Sequence, residues 1–104
     1  MAKRVIKDPK VKEAIHNIAE DFRFSNELND IAQMFYTADS EGVVRGGEIE
    51  KMKEYVETGL VELKQQIAWK EEFLNENPHA DEARIIKNMK TIEEEYTLIS
   101  DFLG

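Results

Sequence analysis

The sequence predicts an all-α protein: an antiparallel hairpin of two long helices with two shorter N-terminal helices packed on it, forming a three- to four-helix bundle. Three observations point there. Ile85, Met89, Ile92, Tyr96, Ile99 and Leu103 recur at alternating steps of four and three, the spacing that lines one helical face. Ile49, Met52, Val56, Leu60, Leu63, Ile67 and Leu74 form a comparable seam upstream. Asn77-Pro78 divides the two seams, so the chain turns back there and the seams face each other.

In chain order, residues 1–8 form a basic arm around Val5 and Ile6, read as a flexible tail, a frayed strand or a docking segment. Asp8-Pro9 opens a helix over 9–24, with Asp as the cap and Pro at the first helical position, where its missing N–H costs nothing. Val11, Ile15, Ile18 and Phe22 make its stripe, flanked by Ala14 and Ala19, which permit close packing. Ser25 or Asn26 is expected to cap a second helix over 26–38 carrying Leu28, Ile31, Ala32, Met34, Phe35 and Tyr36; one bent helix across the junction is the alternative. Residues 39–47 contain three glycines and are read as a mobile loop.

The first long helix is expected over 47–76, with Glu48 and Glu50 suiting the positive end of its dipole. The four-residue step from Val56 to Leu60 departs from a strict heptad and predicts a nearly straight rod. Gly59 costs about 1 kcal/mol against alanine inside a helix. It therefore marks either the close approach of another backbone or a weak point. The second long helix is expected over 78–103, with Asn77 as its cap and Pro78 at its first position. At about 1.5 Å per residue each arm spans on the order of 40 Å.

The chain has 104 residues and a formal net charge of −8, enough length for one domain with a modest core. The charge is unevenly placed. Residues 1–13 carry five basic and two acidic side chains, and the remainder carries nine and twenty, a net −11. An acidic body repels nucleic acid and anionic membrane, so neither is expected as a direct partner. There is no cysteine, hence no disulfide framework or thiolate chemistry. No apolar run of membrane-spanning length and no signal peptide is seen, and a cytoplasmic protein is expected.

Site chemistry is sparse. Glu13, His16 and Glu20 fall on one helical face, and Glu-x-x-His is the spacing by which ferritin-like carboxylate proteins hold two metals. A single copy would need further ligands from symmetry-related chains, and a solvated Glu/His face is the simpler account. His79 at the hairpin turn is read as an exposed histidine. Adjacent carboxylates such as Glu71-Glu72 point apart on a helix and read as solvated surface. No serine stands in a nucleophile elbow, and the glycines at 42, 46 and 47 do not follow a strand as a phosphate loop requires. No enzyme activity and no cofactor is expected.

The remaining signal is apolar. Tyr55, Gly59, Gln66, Trp69 and Phe73 form a second stripe beside the main seam of the first long helix. Either the N-terminal helices cover it or it faces a second copy or a partner, with Tyr55, Trp69 and Phe73 as contact residues. The expected function is a non-enzymatic protein–protein interaction module, an adaptor, inhibitor or assembly factor, binding a protein partner or itself. The alternatives are an acidic inhibitor or mimic acting on a nucleic-acid-binding protein, and a ferritin-like metal-binding helical oligomer.

Overall fold

The computed structural model describes residues 3–78 and 81–104. A short strand β1 (Arg4–Val5) leads into α1 (Pro9–Phe24) and α2 (Asp30–Glu41). A second strand β2 (Val43–Val44) and a 3-10 turn (Gly46–Glu48) then lead into the hairpin, α3 (Ile49–Glu76) and α4 (Glu82–Leu103). The fold is all-α apart from β1 and β2, which pair antiparallel with Arg4 opposite Val44 and Val5 opposite Val43.

That pairing settles the two segments the sequence left loose. Within the arm, Arg4 and Val5 form a strand rather than a tail: Ile6 is buried in the same cluster as Val44, and its N–H donates to the Gly42 carbonyl at 2.9 Å. The segment read as a mobile loop is the last turn of α2, a left-handed Gly42 cap (φ 71°), β2 and the 3-10 turn. Arg4 reaches across to the far end of the chain, donating to the Phe102 carbonyl at 2.6 Å and to that of Gly104 at 2.9 Å.

Two helix starts differ from expectation, each because an asparagine that suits an N-cap closes the preceding helix instead. Asparagine suits a helix N-cap and also the left-handed position that closes a helix. Asn26 (φ 57°) closes α1: its N–H donates to Arg23 and that of Glu27 to Phe22, a doubled closure that ends the helix. Asn29 then caps α2, its side chain accepting from Ala32 N–H at 2.8 Å. The second helix therefore runs over 30–41 rather than 26–38, and α1 and α2 are separate helices. Asn77 also closes α3 instead of opening α4, outside the left-handed region (φ −132°): its backbone and side chain both donate to the Phe73 carbonyl. Pro78 follows a helix end, and α4 begins at Glu82.

The core lies at one end. Ile15, Ala19, Phe35, Met52, Val56 and Ile99 are wholly excluded from solvent where α1 and α2 pack over the start of α3 and the end of α4. Among the described residues, only Ile67 and Ile86 are buried apolar side chains outside this cluster. Ile86 takes the inward place expected of Ile85. The molecule measures 51 × 27 × 23 Å, and its radius of gyration is 15.2 Å. A compact domain of this length would have about 13 Å. The excess is the outer half of the hairpin, which projects beyond α1 and α2 as a bare helical pair.

Candidate interaction surface

The aromatic stripe divides where the covering helices end. Tyr55 is inside, 5.8 Å from both Phe22 and Phe35 and 6.4 Å from Tyr96, ring centre to ring centre. Gly59, one turn on, makes room for the Tyr96 ring: a Cβ there would stand 2.5 Å from Tyr96 Cε2. The close approach that this glycine permits is of an aromatic ring, not of a backbone. Burial pushes the Tyr96 phenol above the usual tyrosine range, with Tyr55 as the next contributor.

Trp69 and Phe73 lie beyond the cover and are 73% and 47% exposed. They sit one turn apart on α3 beside a small hollow of about 230 Å³, where Lys70 reaches Glu82 of α4 at 3.2 Å. Val61, Ile85 and Ile92 add exposed apolar surface to the same half of the hairpin. Of the three contact residues expected from the sequence, Tyr55 is half-buried against the core and Trp69 and Phe73 lie on the surface.

Between these regions lies an open groove of about 800 Å³, at the shoulder where the α1–α2 corner meets the hairpin. Its floor is apolar: Ile31 and Met34 from α2, Tyr55 and Leu63 from α3, Ile92 and Tyr96 from α4. Its edges carry Asp21, Asp30, Glu54 and Glu62 against one cation, Lys51. Gln66 closes the groove on α3, and steps of three and four residues lead from it to Trp69 and Phe73 on the same helical face. The corner itself exposes Phe24 and Leu28. Leu28, expected within the second helix, lies before its start and is exposed; sequence reasoning missed Phe24, although two positions from the core residue Phe22 it must point away from the core on a helix.

The expected polar cluster is rearranged. His16 and Glu20 come together with Asp39 of α2, their nearest ligand atoms within 4.8 Å of one another, while Glu13 is not part of the group. His16 Nδ1 donates to Asp39 at 3.0 Å, the carboxylate being able only to accept. Arg23 bonds Glu20 and lies 3.3 Å from Asp39. The hydrogen bond to Glu20 is the main cause that raises the Arg23 pKa. The Arg23 guanidinium already pairs with both carboxylates, so the four side chains act as a clasp between α1 and α2. His79 lies outside the described residues.

No protein-family model, curated protein or solved structure matches this chain.

Proposed function

We propose that the chain is a non-enzymatic interaction module of the cytoplasm, holding a protein partner or a second copy against the face of its hairpin that runs from the shoulder groove to Trp69 and Phe73. One observation carries this: the large apolar side chains left open to solvent on the hairpin gather on the half that α1 and α2 do not cover. Exposed apolar surface of this kind on a small protein is the common mark of an association site. The polar groups argue in the same direction. Among the described residues no polar or charged side chain is buried, and the carboxylates that edge the groove are exposed, unlike the enclosed polar groups that orient a small substrate.

Native mass spectrometry on gently purified protein, compared with the Trp69→Glu variant, tests the proposal. The expected outcome is a complex or oligomer for the wild type and a bare monomer for the variant, with helicity by circular dichroism unchanged. Association that survives Trp69→Glu would remove the stripe as an interface.

A second reading, an acidic inhibitor of a nucleic-acid-binding protein, draws on the net −11 carried by residues 14–104. It requires binding to a basic partner that weakens steeply with salt. Binding insensitive to salt counts against it.

A further inference from the structure

We infer that the shoulder groove takes a basic amphipathic helix of a protein partner, one with Leu-type side chains along one face and Lys or Arg on its flanks; this rests on the reading of the chain as an interaction module. The floor supplies an apolar trough built from three helices, the form that accepts side chains spaced i, i+3 or i+4, and i+7. The edges supply charge. Asp21, Asp30, Glu54 and Glu62 converge on the groove rim from three helices or their ends, beside the single cation Lys51, and form no ion pair among the described residues. Four unmatched carboxylates around an apolar trough complement a helix whose apolar stripe is bordered by ammonium or guanidinium groups.

Other occupants fit less well. A second copy would bring its own hairpin, and residues 61–95 carry nine acidic side chains against five basic ones, so like charges would meet along the contact. Nucleic acid meets the same repulsion. A small molecule would find an open trough with no buried polar group to fix its orientation. A helix about four turns long would span from Tyr55 on the groove floor to Trp69, because the corresponding stretch of α3 rises about 1.5 Å per residue.

The probe is a fluorescent synthetic helix of about four turns, made of Leu on one face and Lys elsewhere. It is titrated with the full chain and compared with a Leu/Glu peptide of the same apolar pattern and a Ser/Lys peptide of the same charge. The Leu/Lys peptide is expected to bind best and to shift the amides of Ile31, Leu63 and Ile92. Its affinity should fall at least tenfold in the Glu54→Lys/Glu62→Lys variant, whose substitutions lie on the exposed surface of α3 and whose helicity is verified by circular dichroism.

Equal affinity for that variant, or equal binding of either control peptide, overturns the inference. So does a homodimer of the wild type that excludes the peptide from the groove. If the peptide fails while Trp69→Glu still releases the natural partner, the basic-helix assignment falls and the interaction module stands. If Trp69→Glu releases nothing and the peptide also fails, both fall.

Discussion

Around Met52, Val56 and Ile99 the hairpin carries a third and fourth helix, and these side chains have no contact with solvent. Around Ile67 and Ile86 the same two helices have only each other, and Val61, Trp69, Phe73, Ile85 and Ile92 remain open. Local propensity does not separate the halves, since α3 runs unbroken through both. What separates them is the layer count. A two-helix layer can enclose one narrow seam, and every apolar residue off that seam stays wet until something else covers it. The base is therefore built for stability, and the outer half is held mainly by helix continuity and one line of contacts.

The largest effect that tests this contrast is expected at Phe35, fully buried in the base. Phe35→Ala should cost about 3–5 kcal/mol in urea unfolding, enough to threaten the fold. Ile86→Ala in the outer half should cost less, about 2 kcal/mol, because a two-helix layer can close on the space left behind. Amide exchange should be faster over 64–90 than over 50–58. Equal costs at the two sites, or uniform exchange along α3, would break the contrast.

Gly59 sits at the boundary and sharpens it. Gly59→Ala gains about 1 kcal/mol of helix propensity but drives a methyl into the Tyr96 ring, an overpacking cost of about 1–3 kcal/mol. Net destabilisation is expected, and a Tyr96→Leu background should reverse the sign.

The smallest effect is on pH dependence. The Tyr96 phenol is held above its unfolded pKa of about 10. Its contribution is intact below that pH and is lost as pH rises through the folded value, so the part of stability that depends on Tyr96 should decline only in alkali. In a near-ultraviolet absorbance titration of the folded protein, the Tyr96 phenolate should appear only above the usual tyrosine range, and Tyr96→Phe should flatten the alkaline loss.

The helical periodicity was legible because burial writes it residue by residue: the stripe Val11, Ile15, Ile18 and Phe22 is the buried face of α1. The punctuation was less so. Asn26 and Asn77 fit either side of a helix boundary, and the choice depends on whether the next turn is free to start, as it is at Asn29. The pairing of β1 with β2 spans two residues on each strand, too short for any alternation to show. The candidate surface was half legible. Spacing placed Tyr55, Trp69 and Phe73 on one face, but only the length of α1 and α2 decides where the cover stops. That length brings Phe22 and Phe35 to Tyr55 and leaves Trp69 bare. The groove was illegible because Asp21, Asp30, Glu54 and Glu62 are far apart in sequence and converge only when the corner folds onto the shoulder.

Trp69 is the chain's single tryptophan and stands on the exposed half, whereas Tyr36, Tyr55 and Tyr96 belong to the covered half or its edge. The protein therefore carries two natural optical reporters that do not overlap. Excitation that only indole absorbs reads the outer hairpin alone, and its emission should already be red-shifted in the native state. A partner that runs from the groove to Trp69 would move that emission to the blue and also perturb the phenols of Tyr55 and Tyr96 on the groove floor, whereas a partner confined to the outer hairpin would leave the tyrosine signals constant.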